Sequence, residues 1–277
     1  MRNVTIFNQS IPQISYIART CTQGEEFDMV NFYIEHLVQK YSKAKNRDAA
    51  IFIEPQMDTG YPDIVVVEYY ASTLPKPNAV RKKITTTDLK ILYYIHCKKH
   101  LTLQELSKKL AYTPEEVRRV VHRLANAGLI YLSKNGTSVR NKALSKYCPI
   151  KRIIAIEAKL DKWNEVIAQA EHNIWFSTDS YVLLNREKCN TTVLDRCKAK
   201  GIGVILVNGS TRTVLKSATR HFPVSYASLQ FNEWLCRYAY PRKAPHCGAL
   251  WARGVALRPP LFILYFYRTG GFQRNSP

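Results

Sequence analysis

The segment Ile153-Ile154-Ala155-Ile156-Glu157-Ala158-Lys159 constrains the fold more than any other stretch of this chain. An apolar run of that length reads as a buried β-strand of the kind found inside a helix-covered sheet. Its end breaks the apolar pattern. Side chains i and i+2 of a strand point the same way, so Glu157 and Lys159 project together while Ile156 and Ala158 pack behind them. A carboxylate and an ammonium at the end of a buried strand mark either an ion pair or a metal-dependent site. The second reading needs a further carboxylate.

Asp63 offers one. In Met57-Asp58-Thr59-Gly60-Tyr61-Pro62-Asp63, Gly60 and Pro62 make a turn, and the run Ile64 to Val67 reads as a second buried strand with Asp63 at its mouth. Before it, Phe27, Val30, Ile34, Leu37 and Val38 recur at helical spacing, and a short strand runs from Ala49 to Ile53. After Lys159 comes an amphipathic helix from Trp163 to Phe176 that carries Gln169. Strands follow at Ser180 to Leu184 and Gly203 to Val207, with a helix around Val193 to Ala199 between them. Strands alternating with helices predict an α/β core.

The core is interrupted. The net charge is +20, which favours polyanionic partners. Between Lys76 and Arg152 eighteen Lys and Arg face four acids, so +14 of that charge lies in one segment. Its pattern is three helices and a hairpin. Thr87 to Ile95 forms the first helix. Thr102 with Glu105 makes a capping box for the second. Thr113-Pro114-Glu115-Glu116 opens the third with an N-cap, a proline and first-turn acids. Gly128 ends it, and Asn135-Gly136 signals a hairpin.

With Leu103-Gln104-Glu105-Leu106, Val117-Arg118-Arg119-Val120-Val121-His122-Arg123-Leu124 and Gly128-Leu129-Ile130 in this order, residues 85–142 resemble a winged helix-turn-helix domain. The resemblance implies that the third helix lies in the major groove of duplex DNA. Arg118, Arg119, His122 and Arg123 would project from it, and Lys134 and Arg140 would join them from the wing. The bland reading is a protein-binding winged helix.

Gly60-Tyr61-Pro62-Asp63-Ile64-Val65-Val66 and Ile154-Ala155-Ile156-Glu157-Ala158-Lys159 together resemble the PD-(D/E)xK, or restriction-endonuclease-like, nuclease superfamily. The resemblance spans roughly residues 24–70 and 150–207. It implies a mixed sheet flanked by helices, with Asp63, Glu157 and the Ala158 main-chain carbonyl holding Mg²⁺ (Mn²⁺ as a substitute) and Lys159 serving the attacking water. It also implies an acid on the preceding helix, Glu26 or Glu25, and in several branches a glutamine matching Gln169. Asp88-Leu89-Lys90 fits D-x-K at a more usual distance from Asp63, but on a helix positions i and i+2 diverge. The long gap between Asp63 and Glu157 is the main departure from the family, and a folded insert with neighbouring ends accommodates it.

The expected organisation is a nuclease-like core in two parts, 1–75 and 153–235, an inserted winged helix at 76–152 and a basic extension at 236–277. The expected function is metal-dependent DNA endonuclease activity. A non-catalytic DNA-binding regulator on the same scaffold, or an RNA-directed nuclease, are the alternatives. Seven cysteines without a CxxC pair argue against a disulfide framework or a zinc ribbon and fit a cytoplasmic protein. No apolar run reaches the roughly 20 residues of a spanning helix, so no membrane is expected. The longest run, Leu261 to Tyr267, is strand-length. Duplex cleavage would favour a homodimer or an accessory partner.

Overall fold

The computed structural model describes residues 4–20, 23–44, 48–58, 60–185 and 189–240, all within one compact unit. Cys21, Cys247 and the tail from residue 241 onward, with its apolar run at 261–267, lie outside the described residues.

A seven-stranded mixed sheet organises the molecule, in the order β1-β2-β3-β7-β8-β9-β10. β1 (Val4–Phe7) lies parallel to β2 (Asp48–Ile53), and the connection between them contains helix α1 (Glu25–Lys43). β3 (Ile64–Tyr69) runs antiparallel to β2 on one side and to β7 (Ile150–Lys159) on the other. β8 (Asp179–Asn185) and β9 (Gly203–Val207) continue parallel to β7. Their crossovers carry α5 (Trp163–His172) and α6 (Thr191–Lys200), as parallel neighbours require. β10 (Thr211–Leu215) closes the far edge antiparallel to β9. Every residue of β3 is buried, which explains why its sequence is a near-continuous apolar run rather than an alternating one.

The two faces are covered differently. On one, Met29, Val30, Ile34 and Leu37 of α1 pack on Ile51, Val66, Ile154 and Ile156. On the other, Phe52, Val65, Ile153 and Ala155 share a single apolar cluster with helix α7 (Tyr226–Ala239) and with the interior of the inserted segment. Sheet and insert therefore have one continuous core.

The insert leaves β3 and re-enters at β7, whose ends are register partners (Tyr69 opposite Ile150). It contains α2 (Thr86–Lys98), α3 (Leu103–Leu110) and α4 (Pro114–Asn126), with a small sheet of β4 (His100–Thr102), β6 (Ser138–Asn141) and β5 (Ile130–Leu132). Reciprocal capping boxes start all three helices: Thr85 with Asp88, Thr102 with Glu105, and Thr113 with Glu116. Each satisfies two otherwise orphaned donors.

Among the strands and α-helices of the described residues, three were not expected from the sequence: β4, β10 and α7. Of these α7 matters most, because it joins core to insert. Arg81, at the insert entry, donates to Glu233 of α7 at 2.8 Å and to the Tyr147 carbonyl at 3.0 Å. Both ionic side chains of that pair are about 95% buried. Asn232 also donates to the Tyr147 carbonyl, at 3.1 Å, and Arg237 donates to the Ile84 carbonyl at 2.6 Å. The sequence boundary placed at residue 235 falls inside this helix. Among the described residues no helix is long and apolar enough to cross a membrane.

Candidate active site and nucleic-acid interface

Strand register brings the two carboxylates together. Ile64 of β3 is opposite Ile156 of β7, so Asp63, just before one strand, falls beside Glu157, near the end of the other. The Asp63 charge bears directly on the Glu157 carboxyl, and both side chains are buried, 9% and 4% exposed. Asp63 Oδ2 also accepts the Ala158 N–H at 2.7 Å. The N–H and C=O of one strand residue point to the same side, so the Ala158 carbonyl faces Asp63 as well.

Burial pushes the Asp63 carboxyl above its usual range, against the lowering effect of the Ala158 N–H and of Lys159. It pushes Glu157 well above, and the neighbouring Asp63 charge adds to the rise. Two acids held this closely out of water cannot both ionise cheaply. Lys159 Nζ donates to Glu26 Oε1 of α1 at 2.6 Å. Burial works to lower the Lys159 ammonium, but the Glu26 hydrogen bond and the charges of Asp63, Glu26 and Glu157 outweigh it, so it is held above the ordinary lysine value.

Asp63, Glu157, Lys159 and Glu26 are thus one cluster, and the Ala158 carbonyl belongs to it. Gln169 is not part of it. It lies on an exposed face of α5, and its place is taken by Asn173, which donates to Glu157 Oε1 at 2.5 Å and is 5% exposed. Asn173 sits one turn further on, where α5 tightens into a short 3-10 turn at Asn173–Trp175. No residue-type signal singles it out, because only the helix end aims its side chain inward. Glu25 is exposed at the α1 N-terminus.

The donor set suits a hard divalent cation, which takes carboxylate and carbonyl oxygens. Among the described residues no group of three or more His, Cys, Asp or Glu side chains is placed to hold a metal, so the set rests on two carboxylates and a main-chain oxygen.

The rival Asp88-Leu89-Lys90 is disposed of by packing. Asp88 is fully buried, caps Thr85 and receives Arg123 at 2.7 Å. Lys90 reaches the other way, to Asp58 at 2.6 Å, in the loop that leads to Asp63.

On the insert, Val117, Val120, Val121 and Leu124 bury one side of α4. Arg118, Arg119 and His122 stand exposed on the other. Arg123 does not join them fully, since Asp88 engages its guanidinium through two hydrogen bonds. Lys134 is exposed in the β5–β6 hairpin turn, and Arg140 is exposed on β6.

Residues 84–142 match the model of the MarR family, about a fifth of the chain. This identifies the insert as a winged helix-turn-helix domain. No curated protein and no solved structure matches the chain.

Proposed function

We propose that this protein binds duplex DNA through its inserted winged helix and hydrolyses phosphodiester bonds at the Asp63–Glu157–Lys159 cluster of a restriction-endonuclease-like core. The observation that carries the catalytic half is the buried Asp63–Glu157 pair that strand register brings together, with Lys159 on the same strand end. Asp63, Glu157 and the Ala158 carbonyl would hold Mg²⁺ or Mn²⁺, which when bound polarises the phosphate and lowers the pKa of a water. Glu26 fixes the Lys159 ammonium at the mouth of the pair. Because that ammonium stays protonated at neutral pH, Lys159 acts as a phosphate contact and water-orienting donor rather than as a base. Asn173 holds one Glu157 oxygen and leaves the other for Asp63 or the cation.

The comparison favours a second reading more than the first. The family match lies wholly in the winged helix and supports a DNA-binding regulator whose large sheet is a non-catalytic platform. The nuclease half rests on geometry alone. Exposed Arg118, Arg119 and His122, within the segment of net +14, supply phosphate contacts in either case. A dimer is proposed for both, since duplex sites are read and cut most simply by paired subunits.

Plasmid incubated with Mg²⁺ separates the readings. Cleavage by the wild type that Asp63→Ala and Lys159→Ala abolish supports the nuclease, and RNA in place of plasmid tests the RNA-directed variant. Identical, null behaviour of all three proteins leaves the regulator. Arg118→Ala with Arg119→Ala should weaken duplex binding in both cases and reduce the slope of log K against log salt by about two. An unchanged slope would move the insert toward protein contacts.

A further inference from the structure

The small sheet of the insert carries a second basic surface, separate from the exposed side of α4. His100 on β4, Arg140 on β6 and Tyr131 on β5 are successive register partners across the three strands. All three are exposed. The next row, Leu101, Val139 and Leu132, points into the core instead. Strand alternation therefore puts a row of polar and aromatic side chains about 10 Å across on the solvent face.

Tyr131 stands at its end, half exposed. Arg140 lies over its ring at 5.4 Å and Lys142 at 5.8 Å. Lys142 is itself anchored, donating to the Gly128 carbonyl at 3.0 Å. Ser133 and Ser138 flank the row toward the hairpin, and residues 129–142 contain no acid. Glu105, whose charge lies within reach of His100, is committed to capping Thr102.

One half-exposed aromatic ring with two cations beside it, on strands β5 and β6 that carry no acid, matches the chemistry of a nucleic-acid strand whose bases are unstacked. Duplex DNA does not use it well. Its bases are stacked on one another and offer edges in the grooves rather than ring faces, so Tyr131 would meet only phosphate. The α4 side, with Arg118, Arg119 and the small imidazole of His122 but no exposed Tyr, Phe or Trp, has the opposite bias.

We propose that the His100–Arg140–Tyr131 face, with Lys142, binds a single-stranded DNA segment flanking the duplex held by α4. Tyr131 stacks one base, while Arg140 and Lys142 contact the adjoining phosphates. The proposal rests on the reading of the insert as a DNA-binding domain. It does not depend on catalysis.

Fluorescence anisotropy of the full chain with three labelled DNAs tests it: a blunt duplex, the same duplex with a single-stranded oligo-dT overhang, and oligo-dT alone. Tyr131→Ala should weaken binding of oligo-dT and the overhang by about tenfold, the effect of removing one base-stacking ring, and leave the blunt duplex within about twofold. Tyr131→Trp should restore it. Arg118→Ala with Arg119→Ala should do the reverse, weakening the blunt duplex most. An equal loss on all three DNAs from Tyr131→Ala, no loss at all, or, with oligo-U RNA as a fourth probe, a loss seen only on the RNA overturns the proposal. Absence of blunt-duplex binding by the wild type would instead count against the DNA-binding reading. Because Tyr131 is on the surface, the thermal midpoint of the variant should stay at the wild-type value, which separates lost stacking from lost fold.

Discussion

Asn173 Nδ2 donates to Glu157 Oε1 at 2.5 Å, and so the turn that ends α5 sets the direction in which the Glu157 carboxylate points. Asn173→Ala should leave Glu157 in place but free to rotate. We expect metal affinity, followed by Mn²⁺ titration calorimetry, to fall about tenfold, within the range seen when a partner of a metal ligand is removed. Asn173→Gln, one methylene longer, should recover only part. An Asn173→Ala protein that binds Mn²⁺ as the wild type does would show the hydrogen bond to be structural only.

The pH dependence follows from the sign of the shifts. Glu157 and Asp63 titrate above their unfolded-state values because they are buried. The folded state therefore holds protons that the unfolded state has already released. Their contribution to stability is complete below the unfolded carboxylate range and is lost as pH rises toward the folded values. In chelator, unfolding free energy should decline from about pH 4 upward. Glu157→Gln, neutral throughout, should flatten that decline, and Mg²⁺ should raise the wild type more than the variant. Urea denaturation at a series of pH values reads both effects. Parallel curves for the two proteins would show that Glu157 ionises freely.

The Arg81–Glu233 pair joins insert to core almost without water. Glu233→Ala strands a buried guanidinium and should cost about 3–5 kcal/mol. Replacing both, Arg81→Met with Glu233→Leu, should recover most of the loss, because two apolar side chains need no partners. Denaturant melts of the two variants test this, and equal instability of single and double would point to lost packing around Tyr147.

What the sequence made legible was whatever periodicity encodes. β3 and β7 are apolar because they are central, and α4 shows its stripe because one side faces water. Asp63 and Glu157 stood out as acids ending such strands. α7 escaped for the opposite reason. Ten of its fourteen residues, including Glu233 and Arg237, are buried, so no polar face contrasts with an apolar one and the 3.6-residue period fades. Gln169 and Asn173 are both side-chain amides, one turn apart. Which of them faces Glu157 depends on where α5 tightens, a matter of tertiary packing. Arg123 reads like its neighbours Arg118 and Arg119 in sequence, yet Asp88 claims it from another helix.

The adjacency of Tyr69 and Ile150 bears on the order in which the chain assembles. β3 and β7 are neighbours in the sheet but are separated by the residues 70–149. Closing so long a loop before anything else forms carries an entropic cost that grows with its length. The insert removes that cost when it folds first. Its helices and hairpin make short-range contacts, which form fast, and once formed they deliver the two strand ends side by side. The winged helix would then be the template on which the central strands meet, and pulsed hydrogen exchange should protect amides of α2 and α4 before those of β3 and β7.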